Sequence, residues 1–113
     1  MKKIKIVPLS VNQVWAGRRF KTAKYKAYEQ EMMYMLPKVV IPQGKLKITL
    51  VWGVSSKLAD IDNPIKPFLD ILQKKYNFDD KRIYELVVKK KDVKKGAEYI
   101  DFDIKLCYYT VVA

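Results

Sequence analysis

Leu46, Ile48, Leu50 and Trp52 stand at every second position, with Lys47, Thr49 and Val51 between them. Strand side chains alternate between two faces, so this stretch gathers its apolar groups on one side only as a β-strand. The alternation returns over 99–109, where Ile100, Phe102, Ile104 and Leu106 should face inward. Residues 83–91 read as a further strand, with Tyr84, Leu86 and Val88 on one face. The Lys94-Lys95-Gly96 turn should join these last two segments as a hairpin. Ile4 and Ile6 alternate with basic residues over 3–7, a short first strand ended by Pro8.

Two segments carry helical spacing instead. Thr22 is a plausible N-cap for a helix that runs to about Leu36 and is stopped by Pro37. Tyr25, Tyr28, Met32, Met35 and Leu36 should face the core. A second helix is expected to start with Asp62 or Asn63 as its cap, because Pro64 suits a first helical turn. Pro67 also falls in that turn, where a missing N–H costs little. Ile65, Phe68, Leu69 and Leu72 form the apolar stripe. Residues 8–19 and 53–59 read as loops. The expected order is β-α-β-α-β-β, an α+β fold in which both helices pack on one mixed sheet.

The 113 residues make one domain, 1–113, and half of them are hydrophobic, enough for an ordinary core. Lys and Arg total 23 against 12 Asp and Glu, a formal net charge of +11. A surface this basic points to a polyanion, nucleic acid before membrane, unless it is simply a lysine-rich solvated face. There is no histidine, which excludes imidazole catalysis and His-ligated zinc. Cys107 is the one cysteine, so no intramolecular disulfide can form, and a reducing, cytoplasmic setting is expected. Met1-Lys2-Lys3 leads into alternating residues, which does not read as a signal peptide. The longest apolar stretches are too short to span a bilayer.

Acidic residues gather around the second helix: Asp60 and Asp62 before it, Asp70 within it, Asp79 and Asp80 after it. In an extended approach Asp60 and Asp62 project to one side and offer two carboxylates to one ion. Magnesium takes oxygen ligands and commonly uses one or two carboxylates plus substrate phosphate. Asp79 or Asp80 can join them only if the chain folds back. The same residues also suit plainer roles, Asp62 and Asn63 as caps and Asp79-Asp80 as turn residues, and spacing leaves both readings open. A calcium loop is a poorer match, since its glycine and distal glutamate are missing. Lys66 lies four residues from both Asp62 and Asp70. It is either a surface ion-pair member or a cation beside a metal-bound phosphate.

Asp60-Ile61-Asp62-Asn63-Pro64-Ile65-Lys66, followed by Phe68-Leu69-Asp70 and then Asp79-Asp80, resembles the central motif of the RusA family of Holliday-junction resolvases. Pro8-Leu9-Ser10-Val11-Asn12 with Trp15 resembles its N-terminal motif, and Val87-Val88-Lys89-Lys90 its lysine-ended strand. Leu9 replaces the usual second proline, and Lys57 alone stands where a basic run often precedes the first aspartate. The resemblance implies a homodimeric endonuclease of bacterial or phage-infected cells, including prophage-bearing ones. It would make paired symmetric nicks in branched DNA during recombination and repair. Mg2+ would be the cofactor, with Mn2+ a candidate substitute and no small-molecule cofactor. Asp60, Asp62 and Asp80 would be catalytic metal ligands with Asp79 as accessory, and Lys66 would assist the chemistry. Asn63 would fix the turn, and Asp70 would orient Lys66. Asn12, Arg18, Arg19, Lys21, Lys24 and Lys57 are candidate DNA contacts near the site, and Lys89 to Lys91 with Lys94 and Lys95 form a second patch. Phe68 or Tyr76 could serve a dimer interface, though Phe68 equally suits the core.

Rival readings are a non-catalytic nucleic-acid-binding module, a nuclease of flaps or forks, and a subunit whose basic face meets an acidic protein.

Overall fold

The computed structural model describes residues 1–17 and 20–108. Its main sheet has strands β1 (Lys2–Ile4), β4 (Leu46–Val54), β5 (Ile83–Asp92) and β6 (Tyr99–Leu106). Helices α1 (Ala23–Met35) and α2 (Ile65–Tyr76) pack against it, and a two-stranded ladder, β2 (Trp15–Ala16) with β3 (Phe20–Lys21), stands apart. That ladder lies in a stretch expected to be loop. Arg18 and Arg19 lie outside the described residues.

The main sheet runs β1-β6-β4-β5, and this corrects the expected hairpin. Strand β4 separates β5 from β6, pairing parallel with the first and antiparallel with the second. Parallel neighbours need a crossover, and α2 supplies it by carrying the chain from the end of β4 back to the start of β5. The chain then crosses the end of β4, where the Val93 N–H donates to the Val54 carbonyl, before entering β6. Flanked along its whole length by β6 and β5, β4 is where burial is deepest, and it extends to Val54, two residues beyond the alternating run. The short strand β1 ends at Ile4, well before Pro8.

Trp52, Phe68 and Phe102 make the centre of the core, all fully buried, with Phe68 5.7 Å from each of the other two rings in edge-on contact. Each such pair contributes about 0.5–1.5 kcal/mol beyond simple area burial. Phe68 is therefore a core residue and is withdrawn as an interface candidate. Tyr76 is committed too, stacking at 6.4 Å on Phe102 while its hydroxyl donates to the Pro37 carbonyl at 2.5 Å. From α1, Tyr25, Tyr28, Met32 and Leu36 join the core, with Met35 half-buried at its edge. Thr22 caps this helix by accepting the Tyr25 N–H at 3.0 Å.

A bulge between β4 and β5 decides which lysines face which way. Leu46 pairs with Ile83 but Lys47 pairs with Glu85, which leaves Tyr84 as an extra residue. Beyond it, Leu86, Val88 and Lys90 share the helix-covered face with Ile48, Leu50 and Trp52, while Lys89 sits opposite, beside Val51. Tyr84 stands half exposed at this bulge, with the Lys45 ammonium 4.8 Å from its ring centre.

Candidate active site

The turn from Asp60 to Asn63 follows β4, and long-range contacts fix its backbone. A buried tryptophan needs an acceptor for its N–H. Trp52 finds one in the Ile61 carbonyl at 2.9 Å. The Val11 N–H donates to the Asn63 carbonyl at 2.8 Å, tying in the turn Val11–Gln13, whose own start is capped by Ser10. Lys90 reaches across from β5 to donate to the Ala59 carbonyl at 2.8 Å. Two elements therefore hold the four-residue turn itself, and Lys90 holds the residue just before it.

The aspartates of this turn do not cap α2, which corrects the expected cap. Pro64 occupies the N-cap position with no side-chain bond. The Asp62 backbone carbonyl accepts the Ile65 N–H at 3.0 Å, while Asp60 Oδ2 accepts from the Asn63 side-chain amide at 3.1 Å. Both Asp60 and Asp62 are exposed. With the backbone held by other groups, neither carboxylate is used up as a cap.

Lys66 and Asp70 lie one turn apart on α2 and form an ion pair at 2.9 Å. The hydrogen bond from Lys66 to Asp70 raises the lysine above its ordinary value, and the charges of Asp70 and Asp80 add to this. The pairing with Asp70 favours the charged form of Lys66. At the other end of α2, Asn77 takes the left-handed conformation that closes helices (φ 54°) and the chain doubles back. The Asp80 N–H donates to Gln73 Oε1 at 3.1 Å, so Asp80 lies alongside the later part of α2. Asp79 caps the short turn Asp80–Arg82 by accepting the Lys81 N–H at 2.8 Å, and that bond holds its carboxyl below the usual range. For Asp79 the turn role is realised.

The acids thus fall into two groups. From Ile65 to Gln73 the helix rises about 12 Å. Asp60 and Asp62 precede that span, while Asp80 lies beside Gln73, whose amide turns back to the Leu69 carbonyl, and its charge acts on Lys66. Among the described residues, no three acidic, histidine or cysteine side chains of one chain converge on a metal position. Lys66 and Asp70 stand between the two groups. The donors in each are hard carboxylate oxygens, the chemistry that suits magnesium.

The proposed DNA contacts also separate. Asn12 is exposed on the Val11–Gln13 turn and Lys57 on the loop after β4, both at the Asp60 end. Lys21 is half-buried, its ammonium 5.4 Å from the Trp15 ring centre and 4.5 Å from that of Tyr25. Lys89 faces away from α2. Lys90, expected only as a member of the second basic patch and of the lysine-ended strand, is the strand lysine that reaches the site.

A cleft of about 340 Å³ opens beside Asp60 and Asn63, at the end of β4. Glu98 lines it, delivered by the crossing from β5 to β6. Ser55 Oγ donates to Glu98 Oε2 and the Gly96 N–H to Oε1, each at 2.7 Å. No sequence signal connected Glu98 with Asp60, because the expected hairpin would have kept them apart. Among the described residues no helix is long and apolar enough to cross a membrane.

A family model described as endodeoxyribonuclease RusA matches residues 8–101, a span that contains both acidic turns, α2 and Glu98. No curated protein matches the chain.

Proposed function

The chain belongs to the RusA endodeoxyribonuclease family, and from that premise we propose that it is a magnesium-dependent resolvase of four-way DNA junctions. It would place paired symmetric nicks as a homodimer, in DNA recombination and repair. The observation that carries this reading is the Asp60–Asn63 turn. Its backbone is held by Trp52 and Val11, with Lys90 on the residue just before it, and its two carboxylates are left exposed instead of capping α2.

Asp60 and Asp62 would hold Mg2+, for which Mn2+ is a candidate substitute. The bound ion supplies an activated water and a polarised phosphoryl group. Asn63 orients Asp60 through its side-chain amide. Lys66, kept protonated by Asp70, sets a positive charge where the phosphate would gain negative charge. Exposed Asn12 and Lys57 would receive the DNA backbone at this end, with Arg18, Arg19, Lys21 and Lys89 as further contacts.

The separation of the acidic groups bears on the dimer. In a C2 pair each surface meets its own copy reversed, so one chain's Asp60–Asp62 end can lie against its partner's Asp79–Asp80 end. We place the complete site there, with two such sites per dimer and hence two nicks. This also spares each folded monomer the repulsion of three clustered carboxylates.

The test is cleavage of synthetic four-way junction, flap and linear duplex in Mg2+, comparing wild type with Asp62→Asn. We expect the junction to be cut fastest and the variant to lose about 10²–10³-fold in rate while still binding it. A variant that cuts as well as wild type would remove Asp62 from the site. Faster cutting of the flap would change the substrate.

A further inference from the structure

We propose that the cleft beside Asp60 is a nucleobase pocket, which receives the base adjoining the scissile phosphate after it has left the helical stack. This rests on the nuclease reading, because it takes Asp60 as the group that holds the phosphate through its metal.

Size and lining support it. At about 340 Å³ the cleft is at the small end of ligand sites and admits a nucleobase together with its sugar. Its walls are apolar, from Val7, Pro8, Val54, Leu58 and Pro64, while Ser10, Gln13 and Glu98 supply polar groups at intervals. Enzymes that receive extruded bases use this combination, apolar contact on the rings and hydrogen bonds at the edge.

Position supports it as well. Asp60 itself lines the cleft, so a phosphate held there would have its own base one sugar away from the opening. The carboxylate of Glu98 inside the cleft disfavours a phosphate there and leaves the space to the uncharged ring. Extrusion is cheapest where pairing is already disturbed, as at a branch point.

Glu98 gives the pocket a preference. Ser55 and the Gly96 N–H fix its two oxygens, and a carboxylate has about four acceptor positions, so part of its capacity remains open. An acceptor-only group favours a base edge that carries an exocyclic amino group over one that carries only carbonyls there.

The test uses the full-length protein on four-way junctions altered at the nucleotide beside the cut. With 2-aminopurine there and Ca2+ in place of Mg2+, binding should raise the fluorescence several-fold as the base unstacks. In Mg2+, junctions with adenine or cytosine at that position should be cut about tenfold faster than those with thymine, and Glu98→Gln should narrow this ratio to about twofold. On an abasic nucleotide relative to thymine at the same place, wild type and variant should show the same rate ratio, a comparison within each protein that does not depend on how well the variant folds. Fluorescence that stays quenched while Mg2+ cleavage proceeds overturns the pocket and leaves the nuclease standing, as does an unchanged base ranking in Glu98→Gln. Absence of cleavage on every DNA overturns the nuclease reading, and the pocket with it.

Discussion

Two acidic turns flank α2, one before Ile65 and one after Tyr76, and different parts of the molecule hold them. The Asp60–Asn63 turn is secured from outside by Trp52 in the core and Val11 in the preceding loop, with Lys90 on β5 holding the residue just before it. The Asp79–Asp80 turn is secured differently: Asp79 caps its own short turn, Gln73 reaches in from α2, and Arg82 ties the turn to the Pro42 and Gly44 carbonyls. Asp79 therefore spends its carboxylate on a backbone N–H, while Asp60 accepts only from the Asn63 side chain and caps nothing. The contrast explains why the first turn is the stronger candidate for chemistry. Binding a cation there does not compete with a cap, whereas engaging Asp79 would.

The experiment with the largest expected effect asks whether the two turns work together across a dimer. Asp62→Asn and Asp80→Asn should each be nearly inactive alone. Mixed one to one and allowed to exchange, half of the dimers carry one of each, with one complete site composed of intact halves. Cleavage should recover to about a quarter of the wild-type sites, as single nicks. No recovery would mean that each chain builds its site alone, and the two turns would then have to be brought together by DNA or metal.

A smaller effect tests the dependence of the first turn on the core. Trp52→Phe keeps an aromatic ring but removes the N–H that reaches the Ile61 carbonyl. We expect a loss of about 1–3 kcal/mol in urea denaturation. Cleavage in the fully folded variant should fall as well, because Asp60 and Asp62 lose their register. Unchanged cleavage would show that Val11 and Lys90 suffice.

The smallest effect concerns the far end of α2, where Lys74 meets Glu29 of α1 at 2.7 Å. The Lys74 hydrogen bond holds the Glu29 carboxyl below its ordinary value of 4.5. A lowered folded value means the stabilisation is present above pH 4.5 and fades as pH falls through the lower folded value. Lys74 is well exposed, so the pair contributes only a few tenths of a kcal/mol. Wild type should exceed Glu29→Gln in stability by that amount at neutral pH, with the gap closing in acid. A gap that widened on acidification would contradict the assignment.

Much of the fold could be read from local pattern. Side-chain alternation located β4 and β6, helical spacing located α1 and α2, and Thr22 was a cap because its hydroxyl can reach the Tyr25 N–H three residues on. Each of these depends on neighbours within a turn or a pleat. Cap choice at α2 was less legible, since Asp62, Asn63 and Pro64 all suit a helix start. Which one takes the position depended on where Val11 and Trp52 pull the turn.

By itself, then, the sequence determined the elements, the basic surface and the candidate carboxylates. The tertiary structure alone decided that β4 would separate β5 from β6, that Lys90 would reach the Ala59 carbonyl, and that Glu98 would arrive beside Asp60. It also decided that, among the described residues, no three acidic groups of one chain would converge on a metal position. The reason is physical. Periodicity and caps are properties of adjacent residues, but strand partners are chosen by burial across distant segments, and a shift of one residue reverses every face beyond it.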